Sequence, residues 1–440
     1  MYRFADKKLV GWKDQKKRKP LIVRGMRQVG KTYSVTHFAE QYFPGRIHKI
    51  DFEMRADLCA PFETNLDVKR ILAELELLLG IKITPGKDLL FFDEIQNCPN
   101  ALRSLRYFYE EMPALHVIAA GSLLDFALGE ISFPVGRVQF LDVYPMSFHE
   151  FLRACGKDAA AKLITACNPQ KPAPAVHKML LEEVRKYFFV GGMPECVKIF
   201  SENGKFQEVF EIQAELITAF RQDFSHYKPF VDKHCLDSVL VNSARSVGRQ
   251  TVYAQLTDTF SGPTIKKAYT LLEHAHLVRR VPAVAGASIP LGASASPRKF
   301  KTLFADIGLM KHLCGVRQGE EYFRKDLLAI HNGALAEQFI GQEILAAGNS
   351  QIFYWSRNAK SSTAEVDYMI EKKGTVCPIE VKSGPAGKLR SMHLLLNSRP
   401  KIPIGYVLST AEAGELPAQR LRFVPLYFSH SLFAPSAPEV

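Results

Sequence analysis

No run of about 18 or more apolar residues occurs anywhere in the 440-residue chain, so no segment reads as a membrane-spanning helix. The opening MYRFADKKLVGWKD lacks an uninterrupted apolar stretch of the kind a secretory leader needs. Eight cysteines are scattered without one C-x-x-C pair, which argues against a zinc site and against a disulfide framework. These absences predict a cytoplasmic protein with no membrane partner. Apolar residues make up 47% of the chain and charged ones 23%, enough for roughly two to four domains with cores of their own. The charge is unbalanced at +12, which favours a polyanionic partner without identifying one.

The clearest motif lies near the start. A short apolar run, Leu21 to Arg24, leads into Gly25-Met-Arg-Gln-Val-Gly30-Lys31-Thr32, and then into Val35, Phe38, Ala39 and Tyr42 at helical spacing. A strand, a glycine-flanked loop and a helix in that order form a phosphate cradle. Backbone N–H groups of Gln28, Val29, Gly30 and Tyr33, with Gly25 opening the turn, can surround phosphates at the helix N-terminus. Lys31 can then reach the β and γ oxygens, and Thr32 can ligate Mg²⁺.

Such a loop calls for a second strand ending in an acid. DLLFFDEIQ, residues 88–96, supplies a buried run closed by Asp93, with Glu94 directly after it. The first carboxylate suits the metal shell and the second suits a base that polarises water, so the pair predicts ATP hydrolysis as well as binding. Further strands are expected at 47–53, 116–122 and 136–148, with helices such as VKRILAELELLLG between them. That alternation predicts an α/β fold with a parallel sheet. Ser122 is either a sensor of the γ-phosphate or part of an ordinary turn. Arg137 is either a finger or sensor for the nucleotide or a solvated charge at a strand edge.

GMRQVGKT, FFDEIQNCP, IAAGSLLDF and PVGRVQFLDVYPMSFHEFL together resemble the prokaryotic AAA-like ATPases that carry a C-terminal domain of unknown function, DUF4143. The resemblance runs over nearly the whole chain. It implies an ATP-binding core, a helical segment, a winged helix and a restriction-endonuclease-like C-terminal domain.

The middle of the chain turns helical from about 150 to 225, interrupted at Gly191 to Glu195, and reads as either a lid over the nucleotide or a plain connector. Between 235 and 305 three short helices and a hairpin are expected, including SGPTIKKAYTLLEHAHLV with Ser261 as its N-cap. From Ser261 to Lys301 seven basic residues (Lys266, Lys267, Arg279, Arg280, Arg298, Lys299, Lys301) face one acid, Glu273, a local charge of +6. A helix followed by a hairpin suits a winged helix, whose basic face contacts either nucleic-acid phosphates or a protein partner.

In AEVDYMIEKKGTVCPIEVKSG, residues 364–384, two short strands flank a Lys-Lys-Gly turn. Alternation puts Glu380 and Lys382 on one face, and pairing of the strands brings Asp367 to them. The spacing D-x12-E-x-K resembles the signature of the PD-(D/E)xK nucleases, in which two carboxylates hold a divalent metal and a lysine activates or orients water. Upstream, GALAEQFIGQEIL reads as an amphipathic helix whose Glu337 matches the acid often supplied by the first helix of that fold.

The expected organisation is an AAA-like P-loop domain at 1–155, a helical segment or lid at 156–230, a winged helix at 231–318 and a nuclease-like domain at 319–440. Candidate catalytic residues are Glu94, Glu337, Asp367, Glu380 and Lys382. Candidate nucleotide contacts are Gly25, Gln28, Val29, Gly30, Lys31, Thr32, Tyr33, Asp93, Ser122 and Arg137, and candidate metal ligands are Thr32, Asp93, Asp367 and Glu380. The expected function is a Mg²⁺-dependent ATPase acting as a motor or switch on DNA, with cutting by the C-terminal module left open. The alternative is a nucleotide-controlled protein-interaction switch, and a homo-oligomer or protein partner fits either reading.

Overall fold

The computed structural model describes residues 1–126, 136–165, 171–227, 231–315, 333–359, 362–384 and 388–434. The chain forms two compact units, Met1–Tyr144 with His274–His276, and Pro145–Glu273 with Leu277–Val440.

The first unit is built on five parallel strands: β1 (Leu21–Arg24), β2 (Ile47–Asp51), β3 (Leu89–Asp93), β4 (His116–Ala120) and β5 (Gln139–Asp142). Their order across the sheet is β2-β3-β4-β1-β5. β3 and β4 are buried along their whole length, which explains their near-continuous apolar sequence: both faces are covered. One side of the core is an aromatic cluster in which Phe52, Phe62 and Phe92 have ring centroids 5.6–5.9 Å apart. The helix Val68–Leu79 starts at Asp67, whose carboxylate accepts from the Lys69 and Arg70 N–H groups, and stops at Gly80 in the left-handed region. Insertion of β4 between β1 and β3 places the residues after β4 between the glycine-rich loop and Asp93.

The second unit contains helices and a nine-stranded mixed sheet. Its strands are β6 (Gln250–Thr251), β7 (Val278–Val284), β8 (Ala295–Phe304), β9 (Phe353–Ala359), β10 (Ser362–Lys372), β11 (Thr375–Val381), β12 (Gly405–Ser409), β13 (Gly414–Leu416) and β14 (Leu421–Pro425). The order is β13-β14-β12-β11-β10-β9-β7-β8-β6. The expected hairpin of 364–384 is present, with Lys373 and Gly374 at positive φ as a two-residue turn between β10 and β11. One feature departs from the expected boundary at 318/319. β7 pairs in parallel with β9, Ala283 with Tyr354 and Val284 with Trp355, so a single sheet continues from the hairpin β7–β8 into the C-terminal strands. Local periodicity carries no signal for a pair so far apart in sequence.

The helix Ala334–Ala346 was expected to be amphipathic, but its residues from Leu335 to Leu345 are all buried. Its polar side chains face backbone groups where neighbouring elements turn. Gln338 accepts from the Phe304 N–H at 2.9 Å and donates to the Phe304 carbonyl at 2.7 Å. Gln342 accepts from Ile307 N–H at 3.0 Å and donates to the Tyr187 hydroxyl at 2.8 Å, and Glu343 accepts from Phe148 N–H at 2.8 Å. The helix Pro174–Val190 packs on this one through Phe188, 5.3 Å from the Phe339 ring, so the middle helices belong to the core of the second unit.

Burial pushes the Glu343 carboxyl up to about 8. The unfolded chain releases this proton near its ordinary 4.5, so the contribution to stability is complete below 4.5 and is lost as pH rises through about 8. Glu343→Gln keeps the acceptor for Phe148 and removes the titration. Its thermal midpoint is expected to exceed that of the unaltered protein at pH 8 and to match it near pH 5. Equal shifts at both pH values, read by circular dichroism melting, would show that the folded protein carries Glu343 ionised.

Candidate functional site

In the first unit β1 ends at Arg24, and the loop turns through Gly25 (φ 145°), Gln28 (φ 60°) and Gly30 (φ 89°) before the helix Lys31–Tyr42 begins. A side chain at position 25 would put its Cβ 2.2 Å from the Val143 carbonyl oxygen, so the close approach of two backbones requires glycine. Arg3 fixes the loop from outside: its guanidinium donates to the carbonyls of Val29 at 3.0 Å and Tyr144 at 2.6 Å. Sequence reasoning missed Arg3, since nothing in its neighbourhood marks it.

Lys31 is 6% exposed, and its ammonium donates to the carbonyls of Gly25 (3.0 Å) and Met26 (2.8 Å) and to Ser122 Oγ (3.4 Å). Burial pulls it down to about 8, against the opposing fields of Glu94 and Asp93. Thr32 Oγ1 lies 3.1 Å from both oxygens of Asp93, which places a hydroxyl and a carboxylate where they can share one Mg²⁺. A buried ammonium held by neutral oxygens, beside a hydroxyl–carboxylate pair and a left-handed glycine loop, fits a Mg²⁺-bound polyphosphate. Glu94 sits at φ 47°, and Gln96 Nε2 donates to its carboxylate at 2.6 Å. Lys49, also missed by sequence, puts its Nζ 2.9 Å from Asp93 Oδ2. Tyr33 is exposed and stacks on His37.

The structure brings Ser122 to Lys31 but separates Arg137 from both. Arg137 precedes β5, at the end of the sheet where Leu21 opens β1, opposite the loop that follows Arg24. It is half-exposed and ion-paired with Glu110 at 2.8 Å. Within one chain Arg137 is therefore no nucleotide contact, because all strands are parallel and the cradle lies at their other ends.

In the second unit, β10 and β11 pair antiparallel with Tyr368 opposite Ile379, and the ladder between β9 and β10 shifts register between Val366 and Met369. Asp367 Oδ2 accepts from Val381 N–H at 2.8 Å, which ties it to the Glu380-x-Lys382 strand. Lys382 Nζ lies 2.6 Å from Glu380 Oε1. Burial, then the Asp367 charge, pushes Glu380 up to about 8; burial also raises Glu337 to about 7, partly opposed by Lys301. Asp367, Glu380 and Lys382 thus share one centre, as the spacing predicted, and Glu337 joins them from the helix, as the resemblance implied.

That centre holds one residue the sequence reading placed elsewhere. Lys301 of β8 was counted with the basic face, yet its side chain is 2% exposed and its ammonium lies 2.8 Å from Glu337, 2.5 Å from Glu365 and 3.3 Å from Asp367. Of the oxygens on Asp367 and Glu380, three already take N–H donors, and Glu380 Oε2 alone is buried without a partner. Among the described residues no group of three or more His, Cys, Asp or Glu side chains is placed to hold a metal ion. With three of their four oxygens taken by N–H donors, Asp367 and Glu380 do not fit a divalent cation while Lys301 is in place.

Comparisons with known proteins match three successive segments of the chain. A family model described as an AAA domain matches residues 17–152, and a second, domain of unknown function DUF8612, matches 181–320. The DUF8612 match spans much of the helical segment together with the helices and hairpin of 233–304. An uncharacterized protein of Haemophilus influenzae is 24% identical over 321 residues, covering 70% of this chain and 69% of that one. Among solved structures, a Walker-type ATPase of Pyrococcus abyssi aligns over 70% of this chain and 94% of its own, with a TM-score of 0.44 and 16% identity. The Orc1 protein of Aeropyrum pernix in complex with DNA aligns over 70% and 89%, with a TM-score of 0.28 and 13% identity. A third family model, domain of unknown function DUF4143, matches residues 332–428, and so the chain joins an AAA domain to a DUF4143 domain, the pairing that its motifs resemble.

Proposed function

We propose that this protein is a Mg²⁺-dependent ATP hydrolase that works as a nucleotide-controlled switch on DNA, with a nuclease-like C-terminal module. The observation that carries the ATPase reading is Lys31: a buried ammonium whose direct contacts are two carbonyls and a hydroxyl, with Glu94 and Asp93 only at a distance, has its charge only partly compensated until a phosphate arrives. Thr32 and Asp93 would hold the Mg²⁺, and the loop N–H groups would hold the phosphates. Bound Mg²⁺-ATP supplies the phosphoanhydride to be cleaved. Glu94 would polarise the attacking water, with Gln96 fixing its carboxylate, and Ser122 would report on the terminal phosphate through Lys31.

The working parts on this reading are 1–155 for ATP, 231–318 for DNA and 319–440 for the nuclease-like centre. Support for the DNA part comes from element order. The helix Lys233–Arg245, β6, the helix Tyr253–Leu256, the helix Gly262–His274 and the hairpin β7–β8 follow one another, and β6 pairs with β8. That is the order of a winged helix. Lys266 and Lys267 on its third helix and Arg298 on its hairpin are exposed, whereas Arg280 is tied to Glu273 at 2.8 Å and Lys301 is buried. The basic face is therefore narrower than the +6 segment suggested. The second reading, a protein-docking switch, uses the same exposed face for a protein partner; among the described residues no helix is long and apolar enough to cross a membrane.

Lys31→Ala is expected to weaken ATP binding at least about tenfold, ~1.4 kcal/mol, because the buried cation facing the phosphates is gone. Glu94→Gln should bind ATP as well as the unaltered chain and hydrolyse it about 10²-fold more slowly or worse. Calorimetry and phosphate release read both; unchanged ATP affinity in Lys31→Ala would remove the nucleotide assignment.

For DNA, the triple change Lys266→Ala, Lys267→Ala and Arg298→Ala should weaken binding to all sequences alike and flatten the dependence of log K on log salt by about 0.9 per lost phosphate contact. Fluorescence anisotropy over a salt series measures this. An unaltered chain that binds neither duplex nor single strands at low salt supports the docking reading instead.

A further inference from the structure

The carboxylate centre of the second unit already contains a cation, and that cation is held rigidly. Lys301 lies on β8, whose backbone pairs on one side with β6, Gln250 opposite Lys301, and on the other with β7, Val281 opposite Lys301. From this doubly paired position the side chain enters the centre between the helix Ala334–Ala346 and β10. An ammonium has three N–H donors, and here three carboxylates surround it: Glu337 from the helix, Glu365 and Asp367 from one face of β10. The Tyr354 ring, 5.4 Å from Nζ, closes another side. Each acid accordingly commits one oxygen to Lys301.

A divalent metal needs several oxygens directed at one point within about 2.0–2.6 Å. Asp367 is the residue that both cations would have to share, and its two oxygens are committed to Lys301 and to the Val381 N–H. Glu380 can offer only Oε2, since Oε1 accepts from Lys382. A second positive charge there would lie beside the buried Lys301 ammonium, 2% exposed, where like charges repel.

We propose that Lys301 is the resident cation of this centre, standing in the carboxylate cluster in place of a divalent metal, so that the intact chain binds no Mg²⁺ or Mn²⁺ at Asp367 and Glu380. Lys301 falls inside the DUF8612 match at 181–320 while the acids fall inside the DUF4143 match at 332–428, so the centre is a joint product of two sequence families. The structure assigns to it a binding or structural role, and phosphodiester cleavage that depends on metal at these acids is not expected from the intact chain. This inference goes beyond the ATPase reading and does not depend on it, because no residue of the first unit takes part.

The experiment titrates the nucleotide-free full-length chain with Mn²⁺ alone, following free Mn²⁺ by electron paramagnetic resonance and heat by calorimetry. Asp367→Asn separates the centre from any Mn²⁺ held by acids elsewhere. The unaltered chain and Asp367→Asn are expected to bind the same number of Mn²⁺ up to about 1 mM. Lys301→Met removes the charge at nearly constant length and should gain one Mn²⁺ per chain, at least about tenfold tighter, which Lys301→Met with Asp367→Asn loses again. Because Lys301→Met strands three acids and risks misfolding, Lys301→Met with Glu365→Gln removes one cation and one anion together and should gain the same site. Melting curves confirm that the variants fold. An unaltered chain that loses a Mn²⁺ on Asp367→Asn, or folded Lys301 variants that gain none, would overturn the proposal.

Discussion

Both sites are organised around a lysine ammonium taken out of water, and what surrounds each ammonium decides what the site can do. Desolvation disfavours a charged lysine in either case. At Lys31 the compensation comes from carbonyls and a hydroxyl, and the ammonium is pulled down to about 8. At Lys301 it comes from Glu337, Asp367 and Glu365, and the ammonium is held well above its ordinary range despite burial. The first lysine is short of negative charge and the second has it in full. A polyphosphate relieves the former; the latter has no comparable need.

Much of the first site could be read from sequence because its parts are contiguous. Gly25, Gly30, Lys31 and Thr32 lie within one loop, and Asp93 and Glu94 close one buried strand, so a strand–loop–helix pattern and a strand ending sufficed. Its supporting residues were not legible: Arg3 reaches Val29 from a helix cap 26 positions away, and Lys49 meets Asp93 only because β2 and β3 happen to pair. The choice between the two readings of Arg137 stayed open for the complementary reason. A basic residue before a strand looks the same in sequence at either end of a sheet, and only the parallel register of β1 and β5 shows that it faces away from the loop.

The second site was half legible. A two-residue turn fixes the register of β10 and β11, and alternation then dictates that Asp367, Glu380 and Lys382 meet. Lys301 escaped because its basic neighbours, Arg298 and Lys299, suggested a solvated face, and its burial follows from the pairing of β7 with β9, which joins two sequence segments into one sheet. The helix Ala334–Ala346 was misread similarly. Gln338, Gln342 and Glu343 are spread around the helix, and each satisfies a backbone group of another element, so the polarity is internal rather than solvent-facing.

The two lysine–aspartate contacts, Lys49 with Asp93 and Lys301 with Asp367, look alike in distance and differ in consequence. β2 is an edge strand, and the Lys49 side chain is 37% exposed, so its ammonium has water to move into, although Asp93 is itself buried and needs another cation in its place. A metal arriving at Asp93 supplies that cation as Lys49 turns to water. β8 is paired on both sides, and the Lys301 side chain is 2% exposed. For its ammonium to leave, the buried Lys301 must give up three acids at once, of which Glu337 and Asp367 are largely buried and only Glu365 reaches water, and that is more costly than losing a single pair with an exposed partner. The same chemical contact is thus looser at the ATP site than at the carboxylate centre, and the burial of the ammonium and the number of acids around it make the difference.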